Sequence, residues 1–353
     1  MLSLPLAPAA PTQPPRVSHA QAFGLLPAEL AALGVPAPEA TFQKLHRPWT
    51  WQGGAPALSR AARSVLEARG LELPAIASRQ ASSDGSTKLL LSFGGDRVEA
   101  VHMPRAVAGG RVTVCISSQV GCAMGCTFCA TASMGFQRHL SAGEIVAQVL
   151  GVVSELGPRH PSDLTLVFMG MGEPLHNLSE VRRAVELLCE PRGLGLSPRR
   201  ITISTSGLVP EIRALGGCSP RPLLALSLNA TTDEVRRELM PIGKRFPIGE
   251  LRAALQEYPL RARERITVEY VLLAGVNDSV EDAARLSDFC AAFPHNVNLI
   301  PFNEHALAPY RAPLEPDVSA FARALLARRP TLVTVRRSRG RDVQAACGQL
   351  VQS

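Results

Sequence analysis

Between Thr87 and Arg336 the chain alternates short apolar, β-branched runs with amphipathic stretches, and no other feature constrains its fold as much. Lys88–Phe93, Arg97–His102 and Arg111–Ser117 have the alternation of strands. Ser141-Ala-Gly-Glu144 then reads as a capping box, opening a helix to about Leu156 with Ile145, Val146, Val149, Leu150 and Val153 on one face. Strand patterns follow at Leu164–Met169, Arg200–Ser204, Leu223–Leu228, Ile266–Leu273, Asn296–Ile300 and Thr331–Arg336. Helical patterns separate them at Leu178–Cys189, Pro210–Leu215, Asp233–Leu239, Ile248–Glu257, Val280–Phe293 and Asp317–Arg328. Strand–helix alternation implies parallel βαβ units with right-handed crossovers. The expected fold is therefore α/β. Six such units fall short of a closed eight-fold barrel, so a partial (β/α)6 barrel is expected, with a doubly wound open sheet as runner-up. In either fold the loops after the strand C-termini carry the site.

The remainder of the 353 residues precedes this core. Residues 1–16 hold five prolines and read as a disordered tail. Residues 17–86, with helical patches at Pro27–Leu33 and Leu58–Arg69, read as a small helical N-terminal accessory domain, and 87–353 as the α/β core. No apolar run reaches the roughly 18–20 residues of a membrane span, and the proline-broken N-terminus lacks the basic start of a secretory signal. Aromatic residues make up only 5%, which argues against a binder built on rows of stacked bases. The net charge of +7 favours a polyanionic partner.

Four of the eight cysteines, Cys115, Cys122, Cys126 and Cys129, crowd into one stretch. A secreted disulfide scaffold would spread them through a shorter chain, so a cytoplasmic protein with one local metal or redox site is expected. Cys122-Ala-Met-Gly-Cys126-Thr-Phe-Cys129 places three soft ligands within reach of one cluster. Two readings stay open at this point. One is a zinc knuckle completed by Cys115, in a non-enzymatic RNA-binding protein; the other is a [4Fe-4S] cluster held by three cysteines, with one iron open to a small molecule.

The C-x3-C-x2-C run with an aromatic before its last Cys resembles the signature of the radical S-adenosylmethionine (SAM) superfamily. The surrounding motifs resemble the RlmN/Cfr family of RNA methyltransferases: Cys115-Ile-Ser-Ser-Gln-Val-Gly-Cys122, Gly135-Phe-Gln-Arg138, Met169-Gly-Met-Gly-Glu-Pro174, Arg200-Ile-Thr-Ile-Ser-Thr-Ser-Gly207, Asn298-Leu-Ile-Pro-Phe-Asn303 and Ala345-Ala-Cys-Gly-Gln-Leu350. They cover about residues 84–350 in order, whereas the N-terminal third matches poorly. The resemblance implies a radical SAM barrel, with Cys122, Cys126 and Cys129 as cluster ligands. It implies SAM contacts at Gly172, Glu173, Ser204, Ser227, Leu228, Asn229 and Asn303, where His is more usual at position 229.

It also implies a division of labour between two further cysteines. Cys347 takes a methyl group from one SAM; a radical made from a second SAM removes hydrogen from that group, and the carbon radical adds to an adenine ring carbon. Cys115 then attacks sulfur, forming a transient Cys115–Cys347 disulfide and releasing the methylated base, with Glu99 as proton acceptor. Cys189, Cys218 and Cys290 read as core fillers.

The implied substrates are 23S rRNA, with methylation at adenine C2 and with C8 as the Cfr-type alternative, and in some members tRNA. An electron donor such as flavodoxin or ferredoxin is implied, and a monomer with no membrane partner is expected. Arg336, Arg337, Arg339 and Arg341, just before Cys347, are candidate phosphate contacts.

Overall fold

The computed structural model describes residues 19–51, 53–105, 111–157, 160–329, 331–336 and 339–351; the tail expected at 1–16 and Arg337 lie outside them. Twelve strands are formed among these residues. They are β1 (Ala75–Ala81), β2 (Thr87–Phe93), β3 (Asp96–Pro104), β4 (Val112–Cys115), β5 (Gln119–Gly121), β6 (Phe136–His139), β7 (Leu164–Phe168), β8 (Ile201–Thr205), β9 (Leu223–Ser227), β10 (Ile266–Leu272), β11 (His295–Pro301) and β12 (Val333–Val335). The α-helices are α1 (Pro27–Ala32), α2 (Pro38–Leu45), α3 (Arg60–Glu67), α4 (Ala142–Leu156), α5 (Leu178–Cys189), α6 (Val209–Gly216), α7 (Asp233–Leu239), α8 (Ile248–Gln256), α9 (Val280–Cys290) and α10 (Glu315–Arg328).

Ten strands form one sheet in the order β1-β2-β3-β4-β7-β8-β9-β10-β11-β12. From β4 onward all neighbours are parallel, whereas β1 to β4 form an antiparallel meander. Spatial order follows chain order without reversal. A doubly wound sheet needs a reversal, so the winding is that of a barrel with all crossover helices on one face. β1 and β12 are not paired with each other, and the sheet stays open among the described residues. This is the α/β architecture of an open, partial barrel, as expected from the sequence. No helix among the described residues is long and apolar enough to cross a membrane.

The strand β1 was not expected within 17–86. It pairs with β2 along its length, and so extends the sheet from inside the segment read as helical. The helices of that segment share one apolar core with the rest: Phe23, Leu30, Phe42 and Leu66 are fully buried in the same cluster as Ile145 and Val149 of α4. A Cβ on Gly143 would lie 2.2 Å from the Ala20 carbonyl oxygen, so α4 and the N-terminal segment meet backbone to backbone.

The capping box forms as the pattern dictates. Ser141 Oγ accepts from Glu144 N at 3.2 Å, and Glu144 Oε2 accepts from Ser141 N at 2.8 Å. Glu144 also forms a bidentate pair with Arg138 at 2.8 and 2.9 Å. We expect Ser141→Ala to lower unfolding free energy by about 1 kcal/mol, read from urea denaturation; a change near zero would show that the Arg138 pair alone fixes this helix start.

Candidate active site

The parallel strands end on a common rim, and a cavity with about 910 Å³ of empty space opens there. Its wall is built from residues toward or past the strand ends: Phe168 at the end of β7 and Met169 after it, Ser204 on β8, Ser227 at the end of β9 and Asn229 beyond it, Glu269 within β10, and Phe302 and Asn303 after β11. The opposite wall is the cysteine loop, with Cys122, Cys126 and Cys129 all lining the same cavity.

The two short strands β5 and β6 hold this loop by its ends. Cys122 N donates to the Gly135 carbonyl at 3.0 Å. Gly121, at φ +72°, makes that closure possible, since a Cβ there would lie 1.8 Å from the Gly135 oxygen. Thr127 N donates to the Leu239 carbonyl at 2.9 Å, tying the middle of the loop to the end of α7.

Burial pushes the Cys122 thiol up to about 12 and raises Cys126 and Cys129 as well. Such thiols become strong ligands only when a metal centre repays their desolvation. Three thiols from one loop, all lining one cavity, suit a multi-iron cluster with one free coordination position. Among the described residues, no three His, Cys, Asp or Glu side chains are gathered closely enough to hold a single metal ion. Cys115, the fourth ligand of the zinc reading, lines a different cavity. The zinc knuckle therefore does not assemble.

Gly172, at φ +96°, turns the chain after β7, and a Cβ there would lie 2.5 Å from Gln119 Cβ. Glu173 follows it, and its two carboxylate oxygens accept from Leu175 N at 3.0 Å and Ser206 N at 2.7 Å. Burial raises its pKa, and the amides of Ser206 and Leu175 oppose the shift. Asn229 adopts φ 56°, the left-handed region in which Asn is favoured, and Oδ1 accepts from Val271 N at 2.9 Å. Leu228, expected as a contact, does not line the cavity: its side chain is fully buried in the core and its N donates to the Glu269 carbonyl at 3.0 Å.

Cys347 lines this cavity and also a second one of about 360 Å³, shared with Cys115, Met169, Arg336 and Arg339. The segment that carries it is bonded to the cysteine loop: Ala130 N donates to the Gly348 carbonyl at 2.7 Å, and Thr131 Oγ1 to the Leu350 carbonyl at 2.7 Å. Asn303 Nδ2 donates to the Cys347 carbonyl at 3.0 Å, so this cavity-lining residue also positions the thiol's own backbone.

Glu99 lines neither cavity. Its carboxylate is fully buried, 3.1 Å from Lys88 Nζ, and Oε2 accepts from Val351 N at 3.0 Å. Among the arginines, Arg341 is exposed, while Arg339 donates to the Pro104 and Asp84 carbonyls and serves to hold the β1–β2 turn. Arg336 faces the second cavity. Among the described residues, Arg341 is thus the exposed member of the expected group of phosphate contacts. The residue missed from sequence is Glu269, which is 5% exposed at the cavity wall and accepts from Ser204 Oγ at 2.7 Å. Cys290 is buried and Cys189 and Cys218 pack against the core, as expected.

The sequence profile of the radical SAM superfamily matches residues 116–287. The dual-specificity RNA methyltransferase RlmN of Anaeromyxobacter sp. (strain Fw109-5) is 47% identical over 361 residues, covering 97% of this chain and 93% of that protein. The protein of the same name from Syntrophobacter fumaroxidans is 49% identical over 298 residues, covering 83% of this chain and 85% of that one. The crystal structure of a radical SAM methyltransferase from Sphaerobacter thermophilus superposes with a TM-score of 0.86 at 40% identity, over 94% of this chain and 99% of that chain.

Proposed function

Because the chain belongs to the RlmN family of radical SAM RNA methyltransferases, we propose that it methylates carbon 2 of an adenosine in 23S rRNA, and of an adenosine in tRNA, through a methyl group carried on Cys347. It is a SAM-dependent RNA methyltransferase whose cofactors are a [4Fe-4S] cluster and SAM, and it needs a reductant. The observation that carries the finer reading is the position of Cys347, the thiol that lines both the cavity of the cysteine loop and the cavity of Cys115.

Cys122, Cys126 and Cys129 would hold the cluster, and when bound it supplies the electron that cleaves SAM. The protein's own residues supply the rest. Glu173 and Asn229 present carbonyl-type acceptors, and Ser204 and Ser227 present hydroxyls, to the ammonium, carboxylate and ribose groups of SAM. The thiolate of Cys347 takes a methyl group from the SAM sulfonium, leaving S-adenosylhomocysteine. This answers a difficulty of the substrate: an electron-poor adenine carbon cannot attack a sulfonium itself. Once the carried carbon is bonded to the base, Cys115 attacks the Cys347 sulfur and the methylated base leaves.

Glu99 is the proposed proton acceptor. To reach the adduct it must give up its bond from Val351, so that step requires the Cys347 segment to shift. The target base must leave its stack to enter the cavity. Residues 17–86 are the proposed accessory RNA-contacting part, and flavodoxin or ferredoxin the proposed electron donor.

Anaerobic purification should give a brown protein with about four irons per chain. Mass mapping of modified nucleosides in rRNA and tRNA from a deletion strain should show loss of 2-methyladenosine from both. Loss of an 8-methyl product instead would overturn the C2 assignment, and an unchanged tRNA would restrict the substrate to rRNA.

A further inference from the structure

The second cavity contains a charge that the proposed reaction does not yet use. Arg336 directly follows β12, and its N donates to the Leu299 carbonyl at 2.8 Å, which fixes the backbone at the sheet edge. Its side chain does not extend into solvent: with 29% of its surface accessible, it turns inward to line the cavity with Cys115 and Cys347. Nη1 lies 3.8 Å from Met169 Sδ and 4.0 Å from Glu269 Oε1. Glu269 is itself anchored by Ser204 Oγ, and its Oε1 accepts no hydrogen bond among the described residues. Arg336 thus stands beside a buried carboxylate, without a hydrogen bond to it, and lines the cavity of the two thiols.

We propose that Arg336 is a positioning residue for the Cys115–Cys347 pair, supplying the positive charge beside which buried Cys115 becomes a thiolate. This rests on the two-cysteine reading above. In that step the Cys115 proton goes to solvent and the thiolate attacks the Cys347 sulfur. The S–S bond forms as the S–C bond to the base breaks, and the electron pair leaves with the carbon, which takes up a proton. The sulfurs are oxidised and the carbon is reduced.

The environment otherwise opposes this ionisation. Burial pushes the Cys115 thiol up to about 12, the nearby Cys347 thiol adds to the shift, and Arg336 counters it. The other charged groups around Cys115 are engaged elsewhere. Arg339, which also lines the cavity, donates to the Pro104 and Asp84 carbonyls. On β3, Glu99 is neutralised by Lys88, and His102 lies on the opposite face by strand alternation. The neighbouring strand β7 (Leu-Thr-Leu-Val-Phe) carries no titratable side chain. Glu269, 4.0 Å from the Arg336 Nη1, raises the Cys115 pKa and so works against the guanidinium there. A guanidinium keeps its proton at any working pH and is the residue suited to this task in a partly dry cavity.

The test is alkylation, independent of turnover. Cluster-loaded enzyme is treated anaerobically with iodoacetamide from neutral to alkaline pH, and carboxamidomethylated Cys115 is quantified by peptide mass spectrometry. The expected result is that Arg336→Gln reacts about tenfold more slowly at mildly alkaline pH, with its profile displaced upward by about one unit. Arg336→Lys should follow the wild type within about threefold, since it keeps the charge. Cys290, the buried last residue of α9, should stay unmodified in all three proteins and so report an intact fold. If Arg336→Gln opens the fold, Arg336→Lys carries the test, because a displaced Cys115 profile there overturns the proposal. So does an Arg336→Gln profile that superimposes on the wild type. The underlying reading fails separately, if enzyme supplied with SAM never carries S-methylcysteine at position 347.

Discussion

Cys347→Ala will abolish methyl transfer to RNA, by on the order of a thousandfold or more, while reductive cleavage of SAM persists. The separation follows from where Cys347 sits. Its thiol is one point on the wall of the main cavity, whereas the cysteine loop and the strand-end residues that line the rest of that wall are untouched by the substitution. Alanine keeps the backbone whose carbonyl accepts from Asn303, and the Ala130–Gly348 and Thr131–Leu350 bonds just after it involve only main-chain groups of the segment. The fold should therefore be preserved. Among the described residues no other thiol lines both cavities, so no second cysteine is placed to take over the carried methyl. The measurement is parallel quantification of methylated adenosine and of 5′-deoxyadenosine from anaerobic, reduced enzyme. Methylated RNA from Cys347→Ala would exclude a carried methyl group at this position.

The second large effect is on stability. Lys88 and Glu99 are 2% and 0% exposed, cross-strand on β2 and β3, and their charges compensate each other away from water. Lys88→Met leaves a buried carboxylate without its cation, which should cost about 3–5 kcal/mol in denaturant unfolding. Lys88→Met combined with Glu99→Leu should recover most of that loss, because an apolar pair of similar volume needs no compensation. Activity should not return with stability, since Glu99 is the proposed proton acceptor. A single variant within 1 kcal/mol of the wild type would mean that the carboxylate simply takes up a proton when its partner is removed.

The features legible in the sequence were those in which chemistry or backbone geometry restricts the residue. Three cysteines spaced for one cluster, the glycine at Gly172 where a Cβ would collide, and apolar runs buried on both faces of a parallel sheet each admit few alternatives. β1 escaped because Ala-Ile-Ala-Ser-Arg-Gln-Ala is an edge strand exposed along most of its length, and nothing in its pattern demands a core. β5 and β6 are too short for any periodicity, and only their pairing makes them strands. Glu269, alone in the apolar run Thr267-Val-Glu-Tyr-Val271, was open to detection, because an acid in a strand buried on both faces needs a reason to be there. The arginines before Cys347 read as a surface patch because sequence proximity carries no direction. Arg336 points to the thiols and Arg339 to a turn from the far side of the sheet.

The bonds from Ala130 and Thr131 to Gly348 and Leu350 join stretches far apart in the chain. For anyone recombining homologous parents, a single crossover between those stretches would draw the two partners of that contact from different ancestors. Chimeras with two crossovers, which inherit both stretches from one parent and exchange the helices between them, are the ones expected to keep a thiol correctly placed over the cysteine loop.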